Sequence, residues 1–170
     1  MIVSNFIIAL LFQSGIYSLT MPAIDGGSIR FSDFVNKKIL IVNIATDSRF
    51  STQFASLEQL YQQYKDSLIV IAVPTNDFKH ESRNDSAIKS FIQSQYHASY
   101  LIASKNSVTG AGQCLLYQWL SQGAQNGFGD NDVPGDFSKY LIDSKGKLIG
   151  VFSGPIDPLD DDIQSSIKNN

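Results

Sequence analysis

The chain has 170 residues and a formal net charge of −3, from 13 Lys and Arg against 16 Asp and Glu. Hydrophobic residues make up 43% and charged residues 17%, which excludes intrinsic disorder and fits one folded domain. No Lys/Arg-rich run occurs, and this argues against nucleic acid or an anionic membrane surface as the main partner. The single cysteine, Cys114, excludes an intrachain disulfide and every multi-cysteine zinc site.

The N-terminus carries an uncharged apolar run at residues 6–12. Its length fits the apolar region of a signal peptide and is too short to span a bilayer. No Lys or Arg precedes it, and Gln13 and Gly15 make a weak cleavage site. We therefore predict a signal peptide or an apolar N-terminal tail at residues 1–15 and one domain at 16–170. A signal peptide implies an exported or periplasmic protein, whereas a tail leaves it cytoplasmic.

The first half of the domain has the pattern of a strand–helix–strand unit. A turn signal at residues 25–27 (DGG) lies between two short alternating runs and predicts a hairpin. The β-branched run at 39–45 predicts a strand buried on both faces, and helical spacing of apolar residues follows at 51–64. A second buried strand is predicted at 68–73. This order favours a right-handed βαβ crossover.

The second half predicts helices, a loop and an antiparallel hairpin. In chain order these are helices at 87–95 and 113–121, a loop rich in Gly, Asn and Asp at 122–134, and strands at 139–143 and 147–152. Acidic residues at 160–162 suit the N-terminus of a last helix. The layout is typical of a thioredoxin-like α/β domain, with a central mixed sheet flanked by helices.

From residue 16 to about 163 the sequence resembles the glutathione peroxidase family. The segments that carry the resemblance are IYSLTMPAIDGGSIRFSDF, ILIVNIATDSRFSTQFASLEQLYQQYKD, VPTNDF, LLYQWL and DFSKYLIDSKGKLIGVFSG. Their order and spacing are specific in combination. The resemblance implies a thioredoxin-like fold of the glutathione peroxidase type.

The resemblance also places the family's four catalytic positions on this chain. Ser48 stands where the family has its peroxidatic cysteine or selenocysteine, and Asp77 stands at the family's glutamine. Gly135 and Asp136 stand at its tryptophan and asparagine. All four are therefore changed, and Arg49 replaces the glycine after the nucleophile.

These substitutions oppose peroxide chemistry. The reaction needs a thiolate or selenolate that accepts oxygen, and a serine hydroxyl is neither ionised at pH 7 nor oxidised in this way. Ionised carboxylates at Asp77 and Asp136 donate no hydrogen bond and disfavour a neighbouring anion. We therefore expect a family member without peroxide reduction, acting without a cofactor as a binding or accessory domain for an unidentified protein or small molecule.

Cys114 leads to the alternative hypothesis. A thiol-dependent peroxidase or redox sensor working through Cys114 would use glutathione or thioredoxin as its reductant, since no second cysteine resolves a sulfenate. The simpler interpretation is a buried small apolar side chain next to Leu115 and Leu116.

Two other site hypotheses follow from residue types. Ser48, His80 and either Asp77 or Asp136 supply the residues of a hydrolytic triad, although no Gly-x-Ser-x-Gly motif surrounds Ser48. Asp47, Asp77 and Asp136 form an acidic cluster if the resemblance holds, and such a cluster suits a hard cation or a basic peptide. A solvated acidic loop is the simpler interpretation of the cluster.

Overall fold

The computed structural model describes residues 15–169, and the predicted signal peptide or tail lies, apart from Gly15, outside this range. A five-stranded sheet forms the centre, in the order β5-β4-β3-β6-β7. Its strands are β3 (Lys38–Ile44), β4 (Leu68–Pro74), β5 (Leu101–Ile102), β6 (Lys139–Ile142) and β7 (Leu148–Phe152). The β3–β4 and β4–β5 pairs are parallel, and the β3–β6 and β6–β7 pairs are antiparallel. The predicted mixed sheet is thus confirmed.

A separate two-stranded hairpin precedes the sheet. Strands β1 (Thr20–Pro22) and β2 (Ser28–Arg30) pair antiparallel across the predicted turn. Gly26 in that turn has φ +90°, a conformation that favours glycine. Short 3₁₀ segments flank the hairpin at Ile16–Ser18 and Phe31–Phe34.

The helices cover both faces of the sheet. They are α1 (Gln53–Tyr64), α2 (Asp85–Tyr96), α3 (Leu115–Ser121), α4 (Gly123–Asn126) and α5 (Asp161–Lys168). Every residue of β3 is buried, and alternate side chains enter two core clusters. Leu40 packs in the cluster of α1 and α5, whereas Ile41 packs in the cluster of α3. Within residues 15–169, no helix has the length and apolar character needed to cross a membrane.

Two elements differ from the predicted ones. The two-residue strand β5 was not predicted. It is defined by its pairing with β4, because two residues are too few to give a strand pattern in the sequence. Helix α4 is a single turn inside the predicted loop at 122–134. The Asn126 side chain stabilises this turn, since it donates to the carbonyls of Trp119 and Leu120 and accepts from the Phe128 N–H.

Lys38 caps the C-terminus of α5 from the first position of β3. Its Nζ donates to the carbonyl oxygens of Ser166 at 3.1 Å and Ile167 at 2.7 Å, and also to that of Asn169. The amine therefore satisfies carbonyls that the end of a helix leaves without intrahelical partners.

Lys38→Met should lower the free energy of unfolding by about 1–3 kcal/mol, because buried carbonyls lose a charged donor. Urea denaturation measures the loss, and hydrogen exchange should show faster exchange in α5 than in α1. Lys37→Met is the matched control, since the side chain of Lys37 is half-exposed and makes none of these contacts. Equal losses in the two variants would contradict the capping role.

Candidate functional site

A cavity of about 720 Å³ lies at the carboxyl ends of β3 and β4. Because β6 is antiparallel to β3, the segment that enters β6 meets the same edge of the sheet. Three chain segments form the walls: the turn after β3, the loop after β4 and the loop before β6. The lining residues are Asp47, Ser48, Arg49, Phe50, Phe78, His80, Pro134, Gly135 and Asp136. The cavity thus contains three of the four positions identified by the resemblance: Ser48, Gly135 and Asp136.

Ser48 lies in the turn between β3 and α1, and only 4% of the residue is exposed. Its N–H donates to the carbonyl of Ala45 at 3.3 Å, and its own carbonyl accepts from Ser51 N–H at 3.0 Å. The Oγ accepts a hydrogen bond from the Phe50 N–H at 3.3 Å. Ser48 therefore presents a neutral hydroxyl in a well-defined turn just before α1.

His80 and Asp136 form the shortest polar contact of the cavity wall. His80 Nδ1 lies 2.6 Å from Asp136 Oδ2, and the side chains are 53% and 4% exposed respectively. An ionised carboxylate only accepts hydrogen bonds, so Nδ1–H is the donor. The other oxygen, Asp136 Oδ1, is buried and has no hydrogen-bond partner among residues 15–169. A buried carboxylate is thus held by one imidazole at the cavity wall.

The loop before β6 is fixed by contacts from the sheet. The Gly135 carbonyl accepts from Asn43 Nδ2 at 2.8 Å and from Ser138 Oγ at 2.9 Å. Gly154 packs directly beneath the loop, since a Cβ there would lie 2.4 Å from the Asp136 carbonyl oxygen. Any larger residue at 154 would displace Asp136, and with it the contact to His80.

Asp77 does not line the cavity. Its Oδ2 accepts from the backbone N–H groups of Val108 at 2.7 Å and Thr109 at 2.9 Å, and from the Ser107 and Thr109 hydroxyls. Burial raises the pKa of Asp77, but these hydrogen bonds outweigh it and hold the pKa below the ordinary value of 3.8. Asp77 therefore organises the loop at 107–109 and does not join Ser48, Gly135 and Asp136 in the cavity wall.

Asp77→Asn should lower the free energy of unfolding by about 1–3 kcal/mol at pH 7, because a neutral amide oxygen accepts these hydrogen bonds more weakly than an ionised carboxylate does. The pKa of Asp77 is lowered by folding, so its contribution is complete above pH 3.8 and is lost as the pH falls through the lowered pKa. The difference in urea midpoint between wild type and variant should therefore shrink in acid. The exposed Asp66→Asn control should show no comparable, pH-dependent difference.

Glu81 is a buried residue that connects two segments of the cavity wall, and the sequence analysis missed it. It is fully buried, and its carboxylate accepts from Thr46 N–H at 2.7 Å, from Thr46 Oγ1 at 3.0 Å and from Arg83 N–H at 3.1 Å. Arg83 in turn donates to Asp47 Oδ1 at 2.7 Å. These contacts join the turn before Ser48 to the loop that carries His80. A glutamate in a polar stretch gives no sequence signal for this role.

The predicted acidic cluster is not assembled. The carboxylates of Asp47, Asp77 and Asp136 contact three different partners, namely Arg83, the loop at 107–109 and His80. Across residues 15–169, no group of three or more His, Cys, Asp or Glu side chains is placed to hold a metal ion. The structure therefore gives the cation hypothesis no geometric support.

Cys114 does not line the cavity either. It is the N-cap residue of α3, is half-buried, and packs against the core. Burial raises the pKa of the Cys114 thiol; the backbone N–H groups at the start of α3 act in the opposite direction but more weakly. Because the thiolate is the reactive form, this environment disfavours reaction with peroxide.

Comparisons with known proteins agree with this fold. The glutathione peroxidase family model matches residues 16–121. Glutathione peroxidase-like peroxiredoxin 2 of Saccharomyces cerevisiae is 33% identical over 156 residues, covering 89% of this chain and 96% of the relative. Glutathione peroxidase-like peroxiredoxin gpx1 of Schizosaccharomyces pombe is 34% identical over 158 residues, covering 90% and 99%.

Solved structures give the same result. The crystal structure of Trgpx in apo form superposes with a TM-score of 0.71 at 25% identity, covering 91% of this chain and 94% of that one. The fold is therefore thioredoxin-like, and the chain belongs to the glutathione peroxidase family.

Proposed function

We propose that this chain has lost the peroxide reduction of its family and acts as a binding or accessory domain through the cavity at Ser48. The observation that carries the proposal is the absence of a sulfur nucleophile from the cavity wall formed by residues 47–50, 78, 80 and 134–136. The only cysteine of the chain, Cys114, lies outside this wall. Peroxide reduction needs a thiolate or selenolate, and a serine hydroxyl has no equivalent oxidation chemistry.

The electrostatics of the cavity support the same conclusion. The buried Asp136 carboxylate takes the place of a hydrogen-bond donor, and a negative charge there disfavours an anion at position 48. Asp77 is committed to the loop at 107–109, so it offers no donor to the cavity. Neither residue supplies what an activated peroxidatic group requires.

The cavity suits a ligand of mixed polarity. Phe50, Phe78 and Pro134 give it apolar walls, while Ser48 and His80 give it polar groups. Ligand sites are commonly concave and apolar with a few placed polar groups. The ligand is a small molecule or a segment of a partner protein.

Peroxide consumption tests the proposal directly. The purified protein, supplied in turn with glutathione and with a thioredoxin system, should consume hydrogen peroxide no faster than the protein-free blank. Intact-mass analysis of the same samples should show Cys114 unoxidised, because burial raises the pKa of its thiol. A cysteine-containing relative in the same assay serves as the positive control.

The Cys114→Ala variant decides what any turnover means. Turnover that disappears in this variant would overturn the proposal and make Cys114 a peroxidatic residue that uses glutathione or thioredoxin. Turnover that survives in it would overturn the proposal differently, because the cavity residues would then reduce peroxide without a thiol.

A further inference from the structure

We propose that the cavity is an acyl-transfer site, in which Ser48 is the nucleophile, His80 is its general base and Asp136 positions His80. The substrate class is a small ester or thioester with a short apolar acyl group. This activity goes beyond the proposed binding role and does not depend on it, since the loss of peroxide reduction follows from the missing thiol alone.

The first observation concerns the tautomer of His80, which the contact with Asp136 determines. Whenever the imidazole is neutral, the 2.6 Å contact with a carboxylate oxygen places its proton on Nδ1, so that Nε2 carries the lone pair. Nε2 has no hydrogen-bond partner among residues 15–169, and the imidazole is half-exposed at the cavity. A neutral imidazole with a free Nε2 is the form required of a general base.

The second observation is the isolation of the Asp136 carboxylate. It is almost fully buried, and of its two oxygens only Oδ2 has a hydrogen-bond donor within the described chain, namely His80. A buried carboxylate with a single partner stabilises the imidazolium that forms when His80 accepts a proton.

The third observation concerns Ser48 and its turn. Ser48 Oγ accepts from Phe50 N–H, and within residues 15–169 its own hydroxyl proton has no acceptor. The N–H of Arg49, the residue after the nucleophile, likewise donates to no acceptor in that part of the chain. A free N–H directly after a nucleophile is a common donor to the oxyanion of a tetrahedral intermediate. Ser48 and His80 are not hydrogen-bonded to each other, and such contacts often close only when substrate binds.

The reaction that follows is balanced without an oxidant, metal or cofactor. Ser48 Oγ attacks the carbonyl carbon, its proton moves to His80 Nε2, and the bond to the leaving alcohol or thiol breaks as that group takes the proton. Water then attacks the acyl-serine with His80 again as base, which releases the acid and restores Ser48. The net reaction is ester plus water to acid plus alcohol.

The cavity walls select the acyl group. Phe50, Phe78 and Pro134 surround the polar groups with apolar surface, in a cavity of about 720 Å³. This suits a short apolar acyl chain.

An alkyl fluorophosphonate is the direct probe, because Ser48 Oγ would displace fluoride and form a stable phosphonate ester. Intact mass should show one adduct, and peptide mapping should place it on Ser48. Ser48→Ala should abolish labelling, and His80→Gln should slow it by at least about tenfold, as expected for loss of a general base. The exposed variants Ser90→Ala and His97→Asn are matched controls that should label like wild type.

Asp136→Asn tests the positioning role with a readout other than rate. In wild type the His80 Nδ1 proton should give a strongly downfield NMR resonance, which the variant should lose while its remaining amide spectrum is retained. Labelling should slow in parallel. The proposal is overturned if wild type takes no adduct at Ser48, if His80→Gln labels as fast as wild type, or if the downfield resonance survives in Asp136→Asn.

Discussion

Glu81→Ala is expected to lower the free energy of unfolding by about 3–5 kcal/mol, the range for breaking a buried, charged hydrogen-bond network. Thr46 N–H and the Arg83 N–H lose their acceptor when the carboxylate is removed. The total stability of a domain is only about 5–15 kcal/mol, so this is a large share of it. Urea denaturation followed by circular dichroism measures the change.

The Glu81→Ala substitution should also loosen the cavity wall locally. Glu81 joins the turn at Thr46 to the loop of His80, and one backbone hydrogen bond, from Asp47 N–H to the His80 carbonyl at 3.1 Å, spans the same gap. Hydrogen exchange in Glu81→Ala should therefore rise first at residues 46–48 and 80–83. Faster exchange confined to other parts of the chain would contradict this role.

Glu58→Ala is the matched control, because Glu58 also accepts three hydrogen bonds, two from Ser99 and one from Gln62, but is half-exposed. Water replaces the lost partners there, and the expected cost is about 1 kcal/mol. Glu81→Gln should fall between the two, since it keeps the shape but turns an amide N–H₂ toward a donor. A Glu81→Ala cost no larger than that of Glu58→Ala would disprove the network.

The sequence predicted most of the sheet because burial on both faces leaves a clear pattern. The run at 39–45 corresponds to β3 (Lys38–Ile44), and helical spacing at 51–64 located α1 to within two residues. The pattern failed where structure depends on remote partners. Strand β5 exists only through its pairing with β4, and α4 is held by the side-chain bonds of Asn126.

The site was predictable in residue type but not in geometry. The resemblance pointed to Ser48 and Asp136, and both line the cavity because they adjoin strands whose ends meet. It also suggested Asp77, whose carboxylate instead binds the loop at 107–109, and no sequence feature reveals that orientation. The sequence offered either Asp77 or Asp136 as the aspartate partner of His80. The structure shows that Asp136 is the one that contacts it. A hydrogen bond between residues 56 positions apart leaves no local pattern.

The pKa of Lys139 also depends on the position of this residue in the sheet. It lies in β6 next to the central strand β3 and is fully buried. Its Nζ donates to the carbonyls of Phe137 at 2.7 Å and Gly154 at 3.3 Å, directly beneath the loop that carries Asp136. Burial lowers the pKa of Lys139 from 10.5 to about 7, with the Asp157 charge opposing this only in part.

This lowered pKa makes stability rise with pH. Between pH 7 and 10.5 the unfolded chain binds a proton at Lys139 that the folded chain releases, so the contribution of this group to the free energy of unfolding becomes more favourable as pH increases. From pH 7 to pH 9 the gain is on the order of 2 kcal/mol. Ionisation of Tyr117 and Tyr140 does not interfere between pH 7 and pH 9, because burial raises the pKa of both side chains.

Lys139→Met removes the titrating group, so the wild type should gain about 2 kcal/mol relative to this variant between pH 7 and pH 9. Urea denaturation of both proteins across that range gives the difference in their free energies of unfolding at each pH. Groups that titrate alike in the two proteins cancel in this difference. Lys145→Met, at an exposed turn between β6 and β7, should run parallel to wild type. If the difference in free energy of unfolding between wild type and Lys139→Met stays constant with pH, the amine remains charged in the folded protein, stabilised by the carbonyls of Phe137 and Gly154. The loop of Asp136 would then pack on a buried cation.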